Sequence, residues 1–237
     1  MTDTKPNIVV RPTPELDNPL WSYFQNNTGR LMEKWRHYFD VYHNHFNRFR
    51  GQPVTILEIG IYHGGSLQMW KHYFGPNAKI IGLDINPDCR KLTEDQITIF
   101  IGDQANRNDL RDLVQKHGSF DIIIDDGGHT MEQQIVSFEE LFPIVKETGV
   151  YLIEDLHTSY WPDCYNGGYK RPGTFIEYAK NFIDNLNAWH SRDAQLTPSA
   201  ITKSVTGLHF YDSILVVEKF PNNTRPTSVA SGVRSFP

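Results

Sequence analysis

Apolar residues return along this chain in two rhythms. Between Trp21 and Phe49, Leu31, Trp35, Tyr38, Phe39, Tyr42 and Phe46 recur at three- and four-residue steps, the spacing of one helical face. This predicts a long helix, broken by Gly51-Gln52-Pro53. From Val54 the pattern changes to short apolar runs rich in β-branched residues, at 54–59, 79–84, 97–101, 120–125 and 149–154. Helical patterns separate several of them. One starts at Ser66 with Leu67, Met69, Trp70 and Tyr73 on its inner face, and a second covers 109–116. A third opens at Thr130, where Thr130-Met-Glu-Gln133 has the form of a capping box, and runs to about residue 146. A further helix is read at 175–189. Strands that are apolar throughout are buried on both faces, so the alternation predicts an α/β fold with a mostly parallel sheet and helices on both faces. The runs 208–211 and 214–218 lie too close together for a crossover. They predict an antiparallel hairpin at the end of the sheet, turning through Asp212 and Ser213.

The rest of the chain refines this picture. A domain over 21–220 is expected, with a polar, proline-bearing tail at 1–20 and a second tail at 221–237. A net charge of −5 and a pI near 6.0 argue against a nucleic-acid-binding surface. The sequence has neither an apolar run of membrane-spanning length nor the core of a signal peptide. Cys89 and Cys164 stand alone, which suits a reducing compartment, and the expected location is cytoplasmic.

Candidate chemistry gathers where the strands end. The first strand runs into Glu58-Ile59-Gly60, and Gly64-Gly65 precedes the helix at Ser66. Such a turn lets a ligand approach the backbone and the free N–H groups of the helix start. Later strands deliver Asp84, Asp103, the pair Asp125-Asp126 and the pair Glu154-Asp155. Ligands of an open parallel sheet bind at this edge. Asp84 follows Gly60 at the distance of a ribose-binding acid, with a helix cap before Pro87 as the plainer use. The two acid pairs fit a hard divalent cation as well as they fit solvated turns. His129 follows Asp126-Gly-Gly, and imidazole titrates near neutrality.

These residues resemble the class I S-adenosylmethionine-dependent methyltransferases. More narrowly they are similar to metal-dependent O-methyltransferases of macrolide sugars, the mycinamicin and macrocin type, and to cephalosporin-hydroxylase-like relatives. The matching blocks are Leu57-Glu-Ile-Gly60 with Gly64-Gly-Ser-Leu67, Gly82-Leu-Asp84, Gly102-Asp-Gln104, and Ile124-Asp-Asp-Gly-Gly-His129 with Ile153-Glu-Asp155 and Thr158-Ser-Tyr-Trp161. The resemblance implies a Rossmann-like, doubly wound sheet of seven strands.

It also implies roles. Glu58, Gly60 and Ser66 would hold the methionine end of S-adenosylmethionine, Asp84 its ribose, and Asp103 with Gln104 its adenine. Asp125 joins that set, and Lys34, His37 and Tyr38 would lie over the cofactor on a helical lid. Asp126, Glu154 and Asp155 would bind Mg²⁺ or Mn²⁺, with His129 as general base. The implied acceptor is a small-molecule hydroxyl, expected on a glycoside, with neither nucleic acid nor membrane as a partner and a homo-oligomer left open. Two departures stand out. Tyr62 and His63 replace the more glycine-rich first turn of many methyltransferases, and the macrolide enzymes carry a sizeable N-terminal domain where only a tail and a helix are read here. A nucleotide-dependent oxidoreductase is the competing enzyme class, but it gives the acid cluster no task. A non-catalytic cofactor-binding protein is the competing non-enzyme.

Overall fold

The structure, a computed structural model, describes residues 18–235. Seven strands form one sheet: β1 (Thr55–Ile59), β2 (Lys79–Asp84), β3 (Ile97–Ile101), β4 (Phe120–Asp125), β5 (Val145–Ile153), β6 (Val205–Tyr211) and β7 (Ile214–Lys219). Their spatial order is β3-β2-β1-β4-β5-β7-β6. The first five are parallel, and β7 pairs antiparallel with both β5 and β6. The final hairpin turns at Asp212-Ser213, with Ser213 in left-handed backbone at φ 64°. This is the predicted α/β arrangement.

The helices are α1 (Pro19–Gln25), α2 (Tyr38–Phe46), α3 (Gly65–Phe74), α4 (Arg107–His117), α5 (Met131–Leu141), α6 (Phe175–Asn187) and α7 (Ala200–Ser204). Alternate side chains of each strand point to opposite faces, so one strand feeds two cores. Ile56, Ile80, Ile122, Ile124, Leu152 and Val216 pack with residues of α1, α2 and α3, including Leu20, Tyr42, Phe46 and Trp70. Leu57, Ile81, Ile123, Tyr151 and Val217 face Leu110, Leu113, Phe138, Phe175 and Phe182 of α4, α5 and α6. Truncating one such side chain to Ala costs about 2–5 kcal/mol. The capping box forms as read: the Thr130 N–H donates to Gln133 Oε1 at 3.1 Å, and the Gln133 N–H to Thr130 Oγ1 at 3.3 Å.

Three boundaries differ from the sequence reading. The long helix over 21–49 is two helices, α1 and α2, with a non-helical stretch between them. Asn26 ends α1, and the chain then passes close to the start of α3, where the Gly65 N–H donates to the Leu31 carbonyl at 3.2 Å. Leu31 and Trp35, which continue the helical period, are 56% and 47% exposed. The helix expected to reach 146 ends at Leu141, and a short turn at Phe142-Pro143-Ile144 leads into β5 four residues early. Proline lacks the N–H that would continue the ladder. The expected tail at 1–20 lies mostly outside the described residues, but Pro19 and Leu20 open α1 and Leu20 is fully buried.

Candidate active site

β2 lies to one side of β1 and β4 to the other, so a crevice opens beyond their carboxyl ends. A cavity of about 530 Å³ occupies it. Gly60 closes β1 with φ 80°, and a Cβ there would stand 2.1 Å from the Asp126 carbonyl oxygen. Only glycine allows these two strand ends to approach so closely. Asp84 ends β2 and braces the same turn: its Oδ2 accepts the Ile61 N–H at 3.0 Å and its Oδ1 the Asn86 N–H at 2.9 Å. The helical turn that starts at Pro87 is capped by Asn86, whose side chain accepts the Asp88 N–H. Asp84 is therefore not its cap.

Of the residues singled out in the sequence, Lys34, Gly60, Asp84, Asp103, Gln104, Asp126, His129 and Asp155 line the cavity. Glu58, Ser66, His37, Tyr38, Asp125 and Glu154 are not on its wall. The Ser66 hydroxyl donates to Glu58 Oε2 at 2.9 Å beneath the glycine turn. Asp125 is fully buried and accepts from Ser137, from Gln104 Nε2 at 3.0 Å and from the Tyr151 hydroxyl at 3.3 Å. Burial pushes its carboxyl up to about 6 against those hydrogen bonds. Gln104 spends its amide on Asp125 and on the Gly128 N–H, which donates to Oε1 at 2.7 Å. Lys34 precedes α2, His37 is its N-cap residue, and Tyr38 is its first residue. His37 Nε2 lies 2.9 Å from the Asp212 carbonyl oxygen, and the Tyr38 hydroxyl donates to Asp155 Oδ1 at 2.7 Å.

The acids divide into two groups that share Asp126. Asp126, His129 and Asp155 each present a ligand atom within 4.8 Å of the others. His129 Nε2 is 3.8 Å from Asp126 Oδ1 and 3.5 Å from Asp155 Oδ2. On the inner side the Lys34 ammonium pairs with Asp126, with Glu154 Oε2 at 3.1 Å and with Glu58 Oε1 at 3.7 Å. Burial alone would lower the Lys34 pKa, but the three carboxylates hold it well above the usual range. Burial pushes Glu58 up to about 7 despite Lys34, and Asp126 adds to the rise. Burial, and then Asp126, raises Glu154 well above the usual carboxylate range. Glu154 also accepts from the Tyr42 hydroxyl at 2.7 Å. One ammonium thus faces several carboxylates, and this donor set of acids and an imidazole suits a further cation. Glu154, buried against Lys34 and Tyr42, stands apart from the Asp126–His129–Asp155 trio.

The sequence reading missed Trp35, Tyr62 and Ile85 on the cavity wall. Tyr62 and Ile85 are 59% and 67% exposed; Tyr62 belongs to the glycine turn, and Ile85 directly follows Asp84. Trp35 stacks on His157, with ring centroids 5.1 Å apart and planes at 26°.

Comparison with known proteins places this geometry. A family model described as a methyltransferase domain matches residues 57–156. The chain is 39% identical over 208 residues to demethylmacrocin O-methyltransferase of Streptomyces fradiae, covering 81% of this chain and 52% of that one. It is 36% identical over 223 residues to mycinamicin VI 2''-O-methyltransferase of Micromonospora griseorubida, covering 89% and 54%. The solved structure of the MycE methyltransferase with Mg, SAH and mycinamycin VI superposes with a TM-score of 0.75 at 34% identity, covering 87% of this chain and 54% of that one. The chain spans about half the length of the curated relatives it matches. Residues 57–156 thus match a methyltransferase domain, in a chain whose sequence and fold are similar to those of O-methyltransferases of the mycinamicin and macrocin type.

Proposed function

We propose that this chain is an S-adenosylmethionine- and divalent-metal-dependent O-methyltransferase acting on a hydroxyl of a sugar or glycosylated small molecule. One observation carries the reading: a single cavity runs from Gly60, Asp84 and Asp103 to Asp126, His129 and Asp155. A nucleoside-bearing donor fits the first group, and an acceptor hydroxyl the second. The names of the relatives support the reaction, and the ligands of the solved neighbour support the cofactor and the metal. Two unpaired cysteines accord with a cytoplasmic location, and no helix among the described residues is long and apolar enough to cross a membrane.

In this reading the glycine turn, held by Glu58 and Ser66, receives the methionine end of the donor. Asp84 takes the ribose hydroxyls, and Asp103 with Gln104 borders the adenine. Asp125 keeps Gln104 in place from beneath, and Lys34, His37 and Tyr38 fix the segment above. Transfer is an in-line displacement: the acceptor oxygen attacks the methyl carbon as the carbon–sulfur bond breaks. Alignment is therefore the main requirement. The hydroxyl proton passes to Nε2 of His129, which lies beside Asp126 and Asp155. A Mg²⁺ or Mn²⁺ ion held by Asp126, Asp155 and, once turned from Lys34, Glu154 would supply Lewis acidity toward the acceptor hydroxyl.

The test has two parts. Calorimetry on the full chain should show binding of S-adenosylmethionine and none of NAD. Incubation with Mg²⁺ and a panel of glycosides should then transfer one labelled methyl group to oxygen. NAD binding in place of S-adenosylmethionine would assign the cavity to an oxidoreductase. Donor binding without transfer to any glycoside would reduce the chain to a binding protein.

A further inference from the structure

A second cluster of ligand-type side chains lies away from the cavity. His45, near the end of α2, His209 of β6 and Glu218 of β7 each offer a ligand atom within 4.8 Å of the others. His45 Nδ1 is 3.0 Å from Glu218 Oε1, and His209 Nε2 is 3.5 Å from Glu218 Oε2. The two imidazole rings are 4.6 Å apart between centroids. Four ligands held about 2.0–2.1 Å from zinc in a tetrahedron stand about 3.3 Å from one another. The two nitrogen–oxygen separations, each to a different oxygen of Glu218, fall on either side of that edge length.

Three further features are those of a built site. His209 Nε2 is screened from solvent and has no hydrogen-bond partner, although its ring is 39% exposed. Its nearest acceptor, Glu218 Oε2, stands at 3.5 Å, and a screened nitrogen that makes no hydrogen bond calls for something to bind it. The Tyr211 hydroxyl lies 3.0 Å from Nε2 of His45, the nitrogen not turned toward Glu218. A hydrogen bond on the far ring nitrogen is how metal-binding histidines are oriented. Finally, the pairing of β6 with β7 shifts register between Val205 and Gly207. A Cβ on Gly207 would lie 2.9 Å from His209 Nε2 and 3.4 Å from Glu218 Oε2. The irregularity and the missing side chain leave the space between the two ligands clear.

We propose that His45, His209 and Glu218 form a second metal site, suited to a borderline divalent ion such as Zn²⁺, with a fourth position open to water. Glu218 pairs with Val150, three residues before the Ile153 that ends β5, so about 10 Å of strand separates this site from the edge that carries Glu154. An ion here ties α2 to the terminal hairpin. α2 also carries Tyr38 and Tyr42, whose hydroxyls hold Asp155 and Glu154. The second site thereby steadies the helix that braces the cavity.

The test uses the full chain in the Asp126→Asn background, which weakens metal binding at the cavity. Equilibrium dialysis against Zn²⁺ with metal analysis should find one ion per chain. Adding His209→Ala should weaken that binding by more than the roughly 10–100-fold that loss of a supporting contact costs. Glu218→Gln, which preserves shape and hydrogen bonding, should do the same. Melting curves without metal check that the variants fold, and added Zn²⁺ should raise the melting temperature only where all three ligands remain. Equal Zn²⁺ binding in Asp126→Asn with and without His209→Ala would overturn the proposal, as would no binding in Asp126→Asn alone.

Discussion

His129 Nε2 lies 3.5 Å from Asp155 Oδ2, and both residues hold left-handed backbone at φ 56°. The Thr158 hydroxyl sits 2.9 Å from the carbonyl oxygen of each, so one side chain joins the two turns. Non-glycine residues rarely take this conformation, and His and Asp are among those that do so most readily. Two strained residues facing each other across a cavity mark a place where geometry is kept at a cost.

His129→Gln keeps a polar side chain of similar reach but removes the base. Turnover should fall about 10²–10⁴-fold, with donor affinity nearly unchanged. Stopped assays with labelled donor, paired with calorimetry, measure both. Turnover within a few-fold of the parent chain across the pH range would put the base elsewhere.

Asp84 both braces the glycine turn and faces the cavity. Replacing it with Ala removes a charged acceptor, and hydrogen bonds to charged groups are worth about 1.5–3 kcal/mol. The dissociation constant for S-adenosylmethionine should therefore rise by roughly 10- to 150-fold. Metal binding should stay close to the parent value. Unchanged donor affinity in the folded variant would take Asp84 out of the site.

The strands were legible because burial on both faces forces an unbroken apolar run. β2, β3 and β4 begin and end where the pattern says. The acids were legible as strand ends, yet their grouping was not. Asp126 and Glu154 sit at neighbouring strand ends, but their side chains meet through Lys34, which comes from a stretch 92 residues away from Asp126. Periodicity placed that lysine on a helix. In fact Trp35 keeps the helical spacing while stacking on His157 outside any helix. Aromatic spacing records where rings find partners, and here the partner came from a short helical turn at Leu156–Tyr160. The His45–His209–Glu218 cluster left no trace in sequence, since its members come from α2 and both arms of the hairpin.

Removing divalent metal should stop transfer and leave the fold in place, because the sheet and its two cores are built from apolar contacts. Extensive dialysis against EDTA, then assay and circular dichroism, checks this. Activity should return with Mg²⁺. Full turnover in excess chelator would exclude a metal from the reaction.

The two thiols should differ sharply in reactivity. Burial, with Asp84 nearby, pushes the Cys89 thiol up to about 11, while Cys164 is exposed. Thiolate is the reactive form, so at pH 8 one thiol per chain should label quickly. Cys164→Ser should abolish that fast phase. Two equally fast thiols would mean that the turn holding Cys89 opens readily.

Lys34 should prove as important to stability as to the site. Its side chain is 3% exposed and its ammonium faces Glu58, Asp126 and Glu154. Lys34→Met keeps the bulk but strands three acids, two of them almost wholly buried. Breaking a buried ion pair from one side costs about 3–5 kcal/mol, and urea unfolding of metal-free protein at neutral pH should show a loss of that order. The loss comes from the unpaired carboxylates rather than from lost packing. Adding Glu154→Gln to Lys34→Met should then recover part of it, because a neutral amide needs no counter-ion. If the double variant is less stable than the single by the full cost of Glu154→Gln alone, Lys34 and Glu154 do not interact energetically. The ammonium would then act through Glu58 and Asp126 alone.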